Sequence, residues 1–448
     1  MWRNLTQGFE TSNGFDGANT SSSPQNNQMP TETKLVVNPY ATVSFIDDIC
    51  IVTAPLPGKG LQLFEIESKS KPELFELFKD LSTLRLDFLD IDEDLDADEI
   101  DLLRDIGFLV APKHLPQKPL FECGLDDLDA GEVTFKANSL VLNPNAKFEP
   151  MTVDTAGSFI REKNLMPFKP VIWVKTPVTE IDLGYWIDEE KLKVIEGLFL
   201  GKSEIKSLPN ELIKKLVLAD ILIDPKLFRE KTDDVEKRVK EAQNHFSINK
   251  YASVERLIPR HQMHAMQKYY RQYVANGFMP FGDGQVVRRY YQHNEPLARS
   301  IHGNLTKVME LIVGKPVKPA YVYAASYIED SYLEPHIDRL QCEYSFSFQV
   351  DYIPELAGQK STWGLFVADP KNFLREDLSE EDGRLYSNEF PADNQENDSN
   401  RAVYLSNGDA LAYMGCDLIH YRYPLPKGHN STSMFFHYVP EDFEGVLH

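Results

Sequence analysis

Pro335-His336-Ile337-Asp338-Arg339 is the part of the chain richest in groups that could do chemistry, and it lies in a run, Lys318 to Tyr352, that alternates side chains in strand fashion. Residues two apart on a strand point to the same side, so the His336 imidazole and the Asp338 carboxylate can converge on one point as two ligands of a metal. A third ligand is offered 84 residues later. The segment NGDALAYMGCDLIHYRYPL (Asn407 to Leu425) has a Gly-Asp turn, an apolar strand, a bend at Gly415 and then His420, with Arg422 two residues further on. Two imidazoles and one carboxylate on one face of an octahedral metal leave three positions open. His336 hydrogen-bonded in a β core, with Asp338 paired to Arg339, would need no metal, but that reading leaves His420 beside a Gly-Asp strand and an arginine without explanation.

Two imidazoles, one carboxylate and three open positions are the arrangement of non-heme Fe(II) oxygenases. The segment from about Gln285 to Pro440, a third of the chain, resembles the Fe(II)- and 2-oxoglutarate-dependent dioxygenases of the prolyl-hydroxylase-like group. The resemblance is carried by PHIDR, GDALAYMG, HYR (His420 to Arg422) and STSMFFHYV (Ser431 to Val439). It implies a double-stranded β-helix, a jelly-roll of antiparallel strands, in which His336, Asp338 and His420 hold iron. It also implies that 2-oxoglutarate binds the metal through its C1 carboxylate and keto oxygen, with O2 as the oxidant. The far carboxylate then needs a cation. Many prolyl hydroxylases place a Lys or Arg nine or ten residues after the distal histidine, where this chain has His429 and Asn430. Arg422 is the substitute, because a guanidinium pairs bidentately with a carboxylate, and Lys427 is the reserve. Tyr327, nine residues before His336, falls where related enzymes set a tyrosine against the cosubstrate. The alternatives are a structural salt bridge for Arg422 and core packing for Tyr327. His429 and His437 read as strand residues without a role at iron.

The supporting elements for these residues occupy the second half of the chain. From Thr232 the pattern is helical until Val286, and His261 and His264 share one helix face, where packing or surface roles fit them better than a metal, since no glutamate stands between them. VVRRYYQHNEPLARSIH (Val286 to His302) is expected either to face the opening or to be a packed helix. Lys371 to Ala402, long and acidic, is expected to be a mobile surface loop near a jelly-roll mouth.

The first half reads as strands followed by helices. Thr42 to Ala54 holds two β-branched runs around Asp47-Asp48, and Gly60 to Ile66 supplies a third strand; helical patterns come next over Lys71–Leu81 and Asp96–Val110. A second set has strands at VIWVKTP and TEIDLGYWI, then helices over Asp188–Leu200 and Pro209–Ile223. RDIGFLVAP and LADILIDP close both sets alike, which fits either a duplicated unit or two ordinary helix pairs. The order resembles small precursor-peptide recognition domains of enzymes that modify ribosomally made peptides, which implies a sheet edge that takes a leader peptide as an added strand. The acidic run Asp87 to Asp101 lacks the glycine and final glutamate of a calcium loop and reads as a solvated face.

Composition bounds the function. The 448 residues carry 47 Lys+Arg against 69 Asp+Glu, a net charge of 47 − 69 = −22 that repels phosphate backbones, so nucleic acid is not expected as a partner. No run reaches the apolar length of a membrane helix, and the first residues lack a secretory pattern, which makes the cytoplasm the expected compartment. Cys50, Cys123, Cys342 and Cys416 are widely spaced and read as reduced thiols. The expected fold class is α+β: a disordered tail over 1–33, α+β (winged-helix-like) modules over 34–125 and 126–227, and an oxygenase domain over 228–448. The expected activity is hydroxylation of an unactivated carbon in a peptide side chain, with a free amino acid or natural-product intermediate as the alternative substrate. The rival class is a non-catalytic jelly-roll scaffold. Halogenation is disfavoured because Asp338 occupies the place a halide would need.

Overall fold

The computed structural model describes residues 35–38, 41–46, 48–56, 60–83, 96–110, 121–149, 169–355, 359–373, 378–381, 384–387, 390 and 401–447. The tail expected over 1–33 and the start of the acidic run lie outside the described residues. The chain parts into two compact units, 1–117 and 118–448.

In the first unit, β1 (Val36–Val37) pairs with β5 (Leu109–Val110), and β2 (Thr42–Ile46), β3 (Ile49–Leu56) and β4 (Gly60–Glu67) form an antiparallel sheet. Helices Pro72–Thr83 and Ala97–Asp105 complete it, the latter started by a capping box between Asp96 and Glu99. Phe45, Val52, Phe78, Leu103 and Phe108 close the core.

The second unit begins by repeating this plan. There β6 (Val141–Leu142) pairs with β10 (Leu222–Ile223), and β7 (Ala146–Glu149), β8 (Val171–Lys175) and β9 (Asp182–Trp186) form the sheet, with helices Glu189–Phe199 and Asn210–Leu218. The match reaches single atoms. Asn38 Nδ2 donates to Gly107 O at 2.8 Å, and Asn143 Nδ2 donates to Asp220 O at 2.7 Å. Gly107 and Asp220 both have positive φ (75° and 54°), turning each second helix into its closing strand. The sequence carries this repeat as LVVNP at 35–39 and LVLNP at 140–144.

The second copy is anchored to a helix beyond it, Arg260–Ala275. Tyr185 hydroxyl and His261 Nε2 are 2.7 Å apart, and Gln262 Nε2 donates to Gly184 O at 2.9 Å, so the β9 strand is fixed to that helix. His261 therefore packs, as expected, and burial lowers its pKa to about 4.

Beyond the helix Pro225–Asn249, two six-stranded antiparallel sheets face each other. One contains β11 (Tyr251–Val254), β12 (Arg289–His293), β13 (Val317–Tyr327), β15 (Tyr344–Ile353), β20 (Ala410–Tyr413) and β22 (Asn430–Pro440), in the order β11-β20-β15-β22-β13-β12. The other contains β14 (Leu333–His336), β16 (Leu365–Ala368), β17 (Leu378–Glu381), β18 (Arg384–Ser387), β19 (Arg401–Val403) and β21 (Ile419–Arg422), in the order β17-β18-β14-β21-β16-β19. From β13 onward the chain crosses between the sheets in the manner of a jelly-roll. Between the sheets lies a core of Tyr327, Leu333, Trp363, Leu365, Leu411, Tyr413 and Phe435.

Two expectations are corrected. The segment 371–402 is not one long loop, because β17 and β18 form a hairpin that extends the second sheet beside β14. The Asp-Gly dipeptide between two alternating runs was the signal for it. The segment 286–302 is not one helix: its first part is β12, and only Pro296–Val313 is helical, started by the fully buried Glu295, which accepts from Ala298 N and from the hydroxyls of Tyr269 and Tyr270. The four cysteines are free thiols. Among the described residues no helix is long and apolar enough to cross a membrane.

Candidate metal centre

Register brings the two histidines together. His336 on β14 lies directly opposite His420 on β21, and their rings sit 4.3 Å apart. Each ring is held the same way. His336 Nδ1 lies 2.7 Å from Glu334 O, and His420 Nδ1 lies 3.1 Å from Leu418 O. A carbonyl oxygen only accepts, so both Nδ1 atoms carry the proton and both Nε2 atoms keep a free lone pair. Those lone pairs face Asp338 Oδ1, at 3.6 Å from His336 and 3.5 Å from His420.

Asp338 is fixed by its backbone N–H, which donates to Gly415 O at 2.8 Å across the bend after β20. Gly415 has to be glycine, since a Cβ there would lie 2.4 Å from Cys342 O and 2.6 Å from Asp338 Oδ2. Burial opposes charge on the carboxyl, and it is positive charge on the His420 and His336 side that holds its pKa well below the usual range, a charge that a bound metal cation would supply between the neutral rings. Burial, and His420 beside it, lower the pKa of His336. Asp338 Oδ2 is buried without a hydrogen-bond partner. Two neutral imidazoles, one carboxylate and an orphaned carboxylate oxygen, with ligand atoms within 4.8 Å of one another, fit an iron(II) ion. Asp338, Cys342 and His437 also lie within 4.8 Å of one another, but Cys342 Sγ is hydrogen-bonded to the Tyr321 hydroxyl at 3.1 Å and His437 Nδ1 to Ser345 Oγ at 2.8 Å.

Arg422 shares β21 with His420, two residues on and therefore on the same side. It is 1% exposed and lies over the Trp363 ring at 4.4 Å. Its Nη1 donates to Trp363 O at 3.0 Å and one Nη2 contact reaches Ser347 Oγ at 3.4 Å, while Nε has no partner. Among the described residues no carboxylate pairs with it, and burial lowers its pKa. Tyr327 is fully buried, its ring 5.0 Å from Trp363 and its hydroxyl accepting from Arg289 Nη1 at 2.8 Å. Lys427 is exposed at a turn, so it is set aside. His429 Nδ1 is occupied by the Tyr352 hydroxyl at 2.7 Å, and His437 Nδ1 by Ser345 Oγ at 2.8 Å.

Sequence reasoning missed the wall facing the triad. Gln285 Nε2 sits 3.0 Å from His336 Nε2, and Arg289 supports it with Asp283 and Tyr323 behind. The only signal was Asp-Gly-Gln followed by arginines in a segment that alternates.

No family model matches the chain, and no curated protein does. Solved structures similar in backbone course include a Pseudomonas putida prolyl-4-hydroxylase, 10% identical at a TM-score of 0.32, covering 45% of this chain and 99% of that one. HygX from Streptomyces hygroscopicus, solved with nickel, 2-oxoglutarate and hygromycin B, is 13% identical at a TM-score of 0.34, covering 46% and 88%. A Burkholderia pseudomallei oxidoreductase of the 2OG-Fe(II) oxygenase family is 10% identical at 0.32, covering 47% and 92%. At these identities and scores the likeness carries no weight about activity, and the chemistry rests on the side chains described above.

Proposed function

We propose that the chain is an Fe(II)- and 2-oxoglutarate-dependent oxygenase that hydroxylates an unactivated carbon. The observation that supports this most is the pairing of two features. Three ligand atoms converge from β14, the residues just after it and β21, and a buried arginine on the same side of β21 has no carboxylate partner among the described residues. Iron held by His336, Asp338 and His420 would supply O2-dependent oxidation of a C–H bond to an alcohol, with 2-oxoglutarate going to succinate and CO2. The rest falls to the protein. Arg422 receives the far carboxylate of 2-oxoglutarate, with Nε available and Trp363 backing the guanidinium. Tyr327 on β13 packs against the same Trp363 ring, within the apolar core between the sheets that would exclude water from the bound carboxylate.

The substrate in this reading is an amino-acid side chain within a ribosomally made peptide. The first module contributes the edge of its three-stranded sheet, where a leader segment could add as a strand. The enzyme works inside the cell, as domains 34–125, 126–227 and 228–448 of one polypeptide.

The test is anaerobic iron loading followed by labelled 2-oxoglutarate. The wild-type protein is expected to bind one iron per chain and release succinate, and Asp338→Ala and His336→Ala to lose both. Full iron binding and turnover by Asp338→Ala would reject the proposal.

A further inference from the structure

The Asp283–Arg289 turn presents one carboxamide to the open side of the triad. Gln285 Oε1 accepts from Arg289 Nη2 at 3.2 Å, and because a guanidinium has no acceptor atom this orients the amide with its NH2 group toward His336 Nε2. The turn that holds it is over-determined. Asp283 Oδ1 accepts from the backbone N–H of Gln285 at 2.9 Å and of Val286 at 2.6 Å. Asp283 Oδ2 accepts from Arg289 Nε at 2.6 Å and from the Tyr323 hydroxyl. Arg289 is itself buried, and Gln285 is exposed, so the amide stands between solvent and the triad.

We propose that Gln285 holds the substrate by donating to a backbone carbonyl oxygen, and that the substrate at this mouth is an uncharged stretch of peptide and not a free amino acid. This rests on the oxygenase reading and specifies its substrate. Without a metal the amide rests against the His336 lone pair; once a metal takes that lone pair, both N–H donors of the amide are free for a ligand at the mouth. The same segment exposes two large apolar side chains, Phe281 and Val287; Tyr290 packs at a tilt against Phe281 with ring centroids 4.8 Å apart, and Tyr386 lies nearly parallel to the His336 ring at 6.4 Å. Among the described residues, the buried charges of the turn pair with each other, and the exposed charges beside it bond to backbone. Asp283 holds Arg289, and Arg288 Nε donates to Glu329 O while Glu329 Oε2 accepts from Gly428 N. A free amino acid brings a carboxylate and an ammonium that each need a partner once desolvated, whereas a peptide carbonyl needs one donor.

The test uses the full chain loaded with Zn(II), which takes the same nitrogen and oxygen ligands but has no redox chemistry, and with 2-oxoglutarate. Calorimetry then titrates a panel of amino acids in two forms, free and blocked as Nα-acetyl N-methylamides. The expected result is that at least one blocked member binds, more tightly than its free form. Gln285→Ala and the shape-matched Gln285→Glu, compared at equal Zn(II) and 2-oxoglutarate content, should weaken that binding about 2- to 12-fold, the size of one net hydrogen bond. Gln285 is exposed, so neither variant threatens folding. The inference is overturned by a free amino acid that binds as tightly as its blocked form, by unchanged affinity in Gln285→Ala, or by no blocked member binding to protein that holds Zn(II) and 2-oxoglutarate. A wild-type protein that holds neither Zn(II) nor 2-oxoglutarate fails the oxygenase reading, and this inference with it.

Discussion

Replacing Arg422 with methionine should leave the ligand-free protein as stable as before, or more stable, while removing most of its response to 2-oxoglutarate. A buried arginine is ordinarily costly to remove, because its loss strands a carboxylate partner at about 3 to 5 kcal/mol. Here no such partner exists among the described residues, Nε bonds to nothing, and the Nη2 contact to Ser347 is a long 3.4 Å. Methionine fills much of the volume and deletes a charge whose desolvation is offset, among the described residues, only by one hydrogen bond to Trp363 O, the long Ser347 contact and the Trp363 ring. The cosubstrate behaves oppositely. Losing one partner of a buried, hydrogen-bonded charge pair costs about 2 to 5 kcal/mol, or roughly 30- to 5,000-fold in Kd. The assay is urea unfolding of the Zn(II)-loaded protein with and without 2-oxoglutarate, with Trp363 fluorescence as a local reporter since the guanidinium lies on its ring. At a ligand concentration of about 100 times the wild-type Kd the wild type should gain about 2.7 kcal/mol, and Arg422→Met no more than about 0.9 kcal/mol. A variant that loses about 3 kcal/mol or more without ligand yet keeps the 2-oxoglutarate gain would refute the reasoning, since the arginine would then be structural.

Gly415→Ala should reduce Co(II) affinity at least about tenfold and cost about 1 to 3 kcal/mol of stability, because the new methyl overlaps Cys342 O and Asp338 Oδ2; spectroscopic Co(II) titration with a parallel unfolding curve checks both. Burial drops the His302 pKa to about 3, with its Nε2 bonded to His437 O, so folding keeps it neutral where the unfolded chain takes up a proton below about pH 6.5. Its contribution therefore falls as pH drops from about 6.5 toward 3, by about 2 kcal/mol between about pH 7 and 5. Unfolding midpoints of wild type and His302→Gln at the two pH values should show the variant with the shallower pH dependence.

Local patterns in the sequence were enough to predict much of this molecule. The strands Thr42–Ile46, Ile49–Leu56 and Gly60–Glu67 formed where β-branched runs stood, and the triad could be read because period-two geometry and a Gly-Asp turn place His336, Asp338 and His420 by short-range rules. What stayed hidden depends on pairing between distant segments. Trp363 stacks on an arginine 59 residues away, and Gln285 meets a histidine 51 residues away, contacts that no periodicity encodes. The hairpin β17–β18 was hidden by acidic composition, which spoke for solvent while the alternation spoke for strand. The LVVNP and LVLNP pair was legible but short, and only the matching asparagine bonds to Gly107 and Asp220 make its meaning plain.

That doubled module gives the chain an evolutionary asymmetry. The second copy is tied to the helix Arg260–Ala275 by Tyr185 and the Gly184 carbonyl, so changes in its β9 strand act on the stability of the two-sheet half as well. The first copy, a compact unit with its own core, answers to its own folding and to whatever it binds. A lineage of such proteins would be expected to keep the second copy steady while the first diversifies, and residues 1–117 could be exchanged between relatives without touching His336, Asp338 or His420.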